Sequence, residues 1–374
     1  MAYQAPQPTI IHPKYLLIGV QSPLNHTQDI DAYFQEFISL AKSAGVIEYE
    51  FTSLKIREID PKYFFTKGKL QELIDFKNNV DPYEIIISEQ LSPQQERHLK
   101  DVFECEVADR TGLILHIFEM NASSSEGRTQ VEIARLEFQK TRLAGHGMHL
   151  AQQAGQIGLK GPGETLKEQT TRFIEDNILK LKRRLAKLQL ARDTQRKQRL
   201  NNKILQISLV GYTNAGKSTI LNTLTNSDVL AQDKLFVTLD TTTRQLFIDH
   251  TKIGVLADTV GFVQNLPHQL IQAFKSTLSE LQYADLLLHV VDISNNNWRS
   301  HISVVLATLE EIGVQKDMIF VFNKADRLET EELDGRLASF GLFAPYVVVN
   351  SLQKETIQPL ADYIFKWAQA KKQK

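Results

Sequence analysis

Gly211-Tyr212-Thr213-Asn214-Ala215-Gly216-Lys217-Ser218-Thr219 is the stretch whose reading decides the fold. It follows the strand-length apolar run Ile204-Leu205-Gln206-Ile207-Ser208-Leu209-Val210. It precedes Ile220-Leu221-Asn222-Thr223-Leu224, which reads as the first turns of a helix. A strand, a glycine-rich loop and Lys-Ser at a helix start form the context of a phosphate-binding loop. Gly211 and Gly216 let the backbone turn tightly and approach an anion. The loop amides and the helix N-terminus then point at the phosphates. Lys217 would reach the terminal phosphates, and the Ser218 hydroxyl would bind Mg²⁺. The plain alternative is an ordinary strand-to-helix turn, which the downstream residues argue against.

Working outward, residues 204–374 read as strands alternating with helices: an α/β, doubly wound sheet with its ligand beyond the strands' carboxyl ends. Asp258-Thr259-Val260-Gly261-Phe262 ends one strand. An acid there can hold Mg²⁺, and the Gly261 amide can touch a γ-phosphate. Asn323-Lys324-Ala325-Asp326 ends another. The Asp326 carboxylate can accept two N–H bonds from guanine's edge, a donor pair that adenine lacks. Asn323 would hold the loop, Lys324 would cover the base, and Ser351-Leu352 could offer a backbone amide to guanine O6. Three motifs in this order, each at a strand end, are together highly specific.

The remainder is more ordinary. The chain has 374 residues, with 42% hydrophobic and 23% charged, so two or three globular domains are expected. Its net charge of −1 says nothing about partners. One cysteine, Cys105, excludes an internal disulfide framework and reads as a small buried hydrophobe. No run is apolar and long enough for a membrane span, so a cytoplasmic protein is expected. Residues 1–125 read as a small α/β domain, with a capped helix start at Ser92-Pro93. Thr66-Lys67-Gly68-Lys69 is only a fragment of a phosphate loop and reads as a turn and helix start. Residues 126–203 read as a long helical hairpin joined by the glycine-rich segment Gly145 to Gly163. Ile174, Ile178, Leu181, Leu185 and Leu188 supply its apolar seam. The second helix carries ten basic residues from Lys180 to Lys203 against one acid, Asp193. Such a rod is either a solvated face or an RNA-backbone contact. Lys182, Arg183, Arg184 and Arg196, with Gly161 and Gly163, are the candidate RNA contacts. The histidines show no repeated metal spacing.

Several further stretches carry a resemblance to a known family. They are Phe236-Val237-Thr238-Leu239-Asp240 with Thr241-Thr242-Thr243-Arg244, Gly161-Pro162-Gly163-Glu164-Thr165, Asp109-Arg110-Thr111-Gly112-Leu113-Ile114-Leu115 and Gly127-Arg128-Thr129-Gln130-Val131-Glu132. With the phosphate loop they resemble the HflX family of ribosome-associated GTPases over nearly the whole chain. The resemblance implies an N-terminal domain, a helical hairpin and a P-loop GTPase domain. It implies GTP and GDP as ligands, and the large ribosomal subunit and its rRNA as partners. It also implies dissociation or rescue of stalled ribosomes, notably under heat stress, with GTP hydrolysis stimulated by the ribosome. The chain is then expected to act as a monomer in the cytoplasm, away from membranes. By the same resemblance Thr238, next to Phe236 and Val237, closes on Mg²⁺ when GTP is present.

Many small GTPases orient water with a glutamine after Asp-x-x-Gly. Here Phe262 stands in that place, so intrinsic turnover is expected to be slow. Lys217, Thr238, Gly261 and Asn214 are the candidate catalytic residues. Asn214 suggests K⁺ as a second cation, the alternative being a residue that simply fits the turn. Gln264 and His268 are weaker candidates for placing water. Competing functions are a ribosome-assembly or hibernation factor, and an ATP-driven RNA remodeller working through the N-terminal domain.

Overall fold

A computed structural model of the chain describes residues 13–25, 27, 29–144, 166–227, 234–264 and 279–373. The glycine-rich segment with Gly161 and Gly163, and most of the helix expected over 270–282, lie outside the described residues. By compactness the chain divides into two units, Met1–His116 with Gln139–Gln169 and Ile117–Phe138 with Thr170–Lys374.

The first unit is built on strands β1 (Lys14–Gln21), β2 (Glu48–Lys55), β3 (Glu84–Ile87) and β4 (Glu106–Asp109). They form an all-parallel sheet in the order β2-β1-β3-β4. Helices α1 (Ile30–Ser43), α2 (Lys67–Val80) and α3 (Pro93–Phe103) alternate with them. Leu16, Ile18 and Val20 pack with Ile85, Ile87, Leu99 and Phe103. Each such fully buried side chain contributes about 1.5–3 kcal/mol. Ser92 and Gln95 cap α3 reciprocally, as the sequence suggests. The Thr66-Lys67-Gly68-Lys69 fragment is the start of α2. Cys105 is half-buried rather than fully buried, at the edge of the apolar cluster.

A helix that periodicity does not reveal follows β4: α4, Arg110–Asn121. Its run Leu113-Ile114-Leu115 and Ile117-Phe118 is buried while His116, Glu119 and Met120 are exposed, and so short an apolar run reads equally as strand or helix. The Asp109 carboxylate caps it, accepting the Gly112 N–H at 2.8 Å. The motif Asp109-Arg110 thus serves as a helix start, with Arg110 paired to Glu36 at 2.5 Å.

In the second unit β5 (Leu205–Gly211), β6 (Thr242–Ile248), β7 (Thr251–Asp258), β8 (Leu286–Asp292), β9 (Met318–Asn323) and β10 (Tyr346–Val348) make one sheet. The order is β10-β9-β8-β5-β7-β6, parallel throughout except β6, which runs antiparallel to β7. Every residue of β5 is buried, as expected of a central strand covered on both faces. The chain leaves β5 for a helix and then builds on both sides of that strand. This makes the carboxyl end of β5 the point where the winding reverses and ligands bind.

Two long helices contribute to this unit: part of α5 (Ser125–Ala144) and most of α6 (Leu166–Asn201). Ile174 and Ile178 are buried and Leu181, Leu185 and Leu188 half-buried, consistent with a seam. The basic rod is less bare than its sequence suggests. Lys182 pairs with Glu137 at 2.8 Å, Arg192 with Glu126 at 3.4 Å, and Arg184 donates to Ser125 Oγ at 3.1 Å. These acids lie forty or more residues upstream, which is why the local charge count overstates the free positive charge.

Candidate functional site

The phosphate loop leaves β5 and enters helix α7 (Lys217–Thr225), as the sequence predicts. Gly216 adopts φ 96°, and a Cβ there would sit 2.2 Å from Asn323 Nδ2. Only glycine fits both demands. Lys217 is 6% exposed, and its ammonium folds back to donate to the carbonyls of Gly211 (3.1 Å) and Tyr212 (2.7 Å). Burial pushes its pKa down to about 8, against the opposing pull of Asp258.

An open cleft lies over this loop. It is lined by Thr213, Asn214, Gly216, Lys217, Ser218 and Thr219 from the loop, by Phe236, Val237 and Thr238, and by Thr259 and Gly261 after β7. Lys234 also lines it, a residue in the Thr-rich connection that no local pattern singles out. Val260 is buried between its two lining neighbours.

Three oxygen-bearing side chains meet at one edge. Ser218 Oγ donates to Asp258 Oδ2 at 2.5 Å and lies 2.9 Å from Thr238 Oγ1. Asp258 is fully buried, and its Oδ1 has no hydrogen-bond partner among the described residues. Burial raises its carboxyl pKa, although Lys217 and the Ser218 and Thr238 hydroxyls pull it back. A hydroxyl, a hydroxyl and a carboxylate form the hard oxygen set that suits Mg²⁺. The unpartnered Oδ1 makes the residues fit such an ion. An anion beside Lys217 and a cation beside Asp258 would oppose the two pKa displacements.

The base-side loops are tied to the phosphate loop. Asn323 Nδ2 donates to the Ala215 carbonyl at 2.8 Å, and its Oδ1 accepts the Ser351 N–H at 3.0 Å. Lys324 Nζ donates to the Asn214 carbonyl at 2.7 Å and pairs with Asp292 at 2.7 Å. Asp292 was not singled out from sequence, yet a carboxylate at the ligand end of a strand is a readable signal. Asp326 is exposed. The Leu352 N–H already donates to Asn350 Oδ1 at 3.0 Å, and Leu352 is 76% exposed. With the Ser351 amide on Asn323, both candidate O6 donors are engaged within the protein.

Phe262 is 2% exposed and packs among Val210, Leu281, Leu287 and Val305. It is therefore turned into the core, away from any reacting water. Its backbone braces the loop: the Phe262 carbonyl accepts the Thr213 N–H at 2.8 Å. The Gln264 N–H donates to the Tyr212 hydroxyl at 2.7 Å, and its side chain reaches Ser300. His268 lies outside the described residues. Of the RNA-contact candidates, Lys182, Arg183 and Arg184 are exposed on α6. Arg196 lies on the same helix, and its side chain is outside the described residues. Among the described residues no cluster of metal-ligating side chains and no helix long and apolar enough to cross a membrane is found.

Three family models tile the chain: a GTP-binding GTPase N-terminal region over 31–119, a GTP-binding GTPase middle region over 121–199 and a 50S ribosome-binding GTPase over 206–324. GTPase HflX of Escherichia coli (strain K12) is 43% identical over 319 residues, covering 84% of this chain and 75% of the relative. The chain belongs to the HflX GTPase family. GTPase HflX of Caldanaerobacter subterraneus subsp. tengcongensis is 42% identical over 295 residues, covering 79% of this chain and 69% of that one. The crystal structure of SsGBP with GDP matches at TM-score 0.52 and 26% identity, over 96% of this chain and 99% of that one. The HflX-family chain thus carries a P-loop GTPase domain behind the family's N-terminal and middle regions.

Proposed function

We propose that this HflX-family chain is a Mg²⁺-dependent GTPase that binds the large ribosomal subunit and dissociates stalled ribosomes. The reading is carried by one observation: Lys217, Ser218, Thr238 and Asp258 converge at a cleft beyond the carboxyl end of β5. Ser218, Thr238 and Asp258 would hold Mg²⁺. Bound there, the ion would supply charge neutralisation for the phosphates.

The chain's own groups do the rest. Lys217, stripped of water, exchanges two carbonyl partners for phosphate oxygens that carry full charge. The Gly261 amide meets the γ-phosphate, and Asp326 reads the guanine edge. Phe262 offers no hydrogen bond to water, so slow turnover awaits a group supplied by the ribosome. Asn214, exposed at the loop with φ 58°, is the candidate to help a K⁺ ion. On α6, Lys182, Arg183, Arg184 and Arg196 would contact rRNA phosphates, together with Gly161 and Gly163. The protein then works in the cytoplasm as a monomer.

Titration with a fluorescent GTP analogue should saturate in the wild type and fail in Lys217→Ala. Sedimentation of intact ribosomes with the protein and GTP should release free subunits. Binding without release would favour an assembly or hibernation role, and a requirement for ATP would favour an RNA remodeller.

A further inference from the structure

The Thr238 segment is held at both ends by residues of the junction between α4 and α5, in the same unit. On its N-terminal side, the Phe236 carbonyl accepts a hydrogen bond from Asn121 Nδ2 at 2.9 Å. The Phe236 ring meets Phe118 edge-on at 4.7 Å, and its backbone sits at φ 58°. On the C-terminal side, Asp240 accepts four hydrogen bonds. The donors are the Ser123 N–H (2.9 Å), Ser123 Oγ (2.8 Å), the Ser124 N–H (2.7 Å) and Ser124 Oγ (2.5 Å). Ser124 Oγ in turn accepts the Gly127 N–H at 2.8 Å. A Cβ on Gly127 would lie 2.0 Å from Asp240 Oδ1, so glycine is what admits the carboxylate.

These residues surround the N-terminus of α5, where unpaired amides and the helix dipole favour an anion. The carboxylate comes from a residue more than a hundred positions away. Thr238 stands two residues from each anchor, with its hydroxyl already 2.9 Å from Ser218 Oγ.

We propose that Asp240 and Asn121 are positioning residues for Thr238, so that the N-terminus of α5 is a working part of the GTP-sensing site. In this arrangement Asp240 caps α5 when Thr238 is drawn over the cleft. Release of Thr238 after loss of the γ-phosphate then withdraws the carboxylate and leaves the α5 start uncapped. The γ-phosphate is thereby reported directly to the helix, without passing through the central sheet. The inference rests on the nucleotide reading above, but adds residues that touch neither nucleotide nor metal.

The test compares full-length wild type with Asp240→Asn, Asn121→Ala and Ser124→Ala. Affinities for GDP and for a non-hydrolysable GTP analogue are measured across a Mg²⁺ series. GDP makes no use of Thr238, so its affinity should hold within about twofold. The GTP-analogue affinity should fall roughly tenfold in Asp240→Asn, the loss of charge-assisted bonds to a cap, and more Mg²⁺ should be needed. Amide exchange at residues 125–128 should be slower with the analogue than with GDP in wild type, and equal in Asp240→Asn. Equal losses for both nucleotides, or unchanged preference and exchange in all three variants, overturn the proposal. Failure of wild type to bind either nucleotide would instead overturn the GTPase reading. If Asp240→Asn does not fold, Asn121→Ala alone decides, since it removes the other anchor.

Discussion

The Tyr212 ring lies flat against the His301 imidazole, with centroids 3.8 Å apart and planes 6° from parallel. The stack joins the phosphate loop to helix α8 (Trp298–Glu311). Burial pushes His301 down to about 4, against the weaker pull of Asp292. The unfolded chain takes up this proton near its ordinary value of 6.5, and the folded one only near 4. Stability from this group is therefore complete above pH 6.5 and is lost as pH falls towards 4. The loss is on the order of 3 kcal/mol at most. Urea unfolding at pH 7 and pH 4.5 should show a smaller pH difference in His301→Phe, which keeps the stack without the proton. Equal differences would remove His301 as the source.

Phe262 sits where a water-orienting glutamine would be useful, yet its ring is part of the core. Phe262→Gln should therefore leave turnover slow and destabilise the unit by about 3 kcal/mol, as truncated core aromatics do. Single-turnover hydrolysis together with denaturant unfolding checks both. A stable variant with faster hydrolysis would mean that the side chain can swing out to the nucleotide.

Asp326 is exposed and free to accept the two edge donors of guanine. Asp326→Asn should weaken GTP binding by roughly a hundredfold, since two bonds to a charged acceptor are lost. Xanthosine triphosphate, whose edge presents an acceptor, should gain in the same variant. Competition titration measures the pair of affinities, and unchanged GTP binding would remove Asp326 from the base site.

Asn214 presents its side chain at the loop while its own carbonyl is held by Lys324. Replacing Na⁺ by K⁺ should raise kcat in wild type, and Asn214→Ala should erase the difference. Steady-state hydrolysis in matched chloride salts reads this directly. Identical rates in the two salts would leave Asn214 as a turn residue only.

The nucleotide-binding loops were legible because phosphate, cation and guanine each demand particular residue types at fixed spacing. Asp258 and Asn323 end strands β7 and β9, and Lys217 opens α7 after the loop that leaves β5. The rest depended on contacts between distant parts of the chain. Asp240 looks like one polar residue among threonines until Ser123 and Ser124 are seen around it. Helix α4 hides because its short apolar run, Leu113-Ile114-Leu115 and Ile117-Phe118, reads equally as strand. The charge of α6 was overstated because Glu126 and Glu137 come from another helix. Leu352 was expected to offer an amide that Asn350 has already taken.

Asn323 bonds the Ala215 carbonyl with one end of its amide and the Ser351 N–H with the other. That single side chain rivets the purine end of the cleft to its phosphate end. A shift of either loop therefore strains the bond that holds the other. At the opposite rim a hydroxyl pair, Ser218 Oγ and Thr238 Oγ1 at 2.9 Å, ties the phosphate loop to the Thr238 segment.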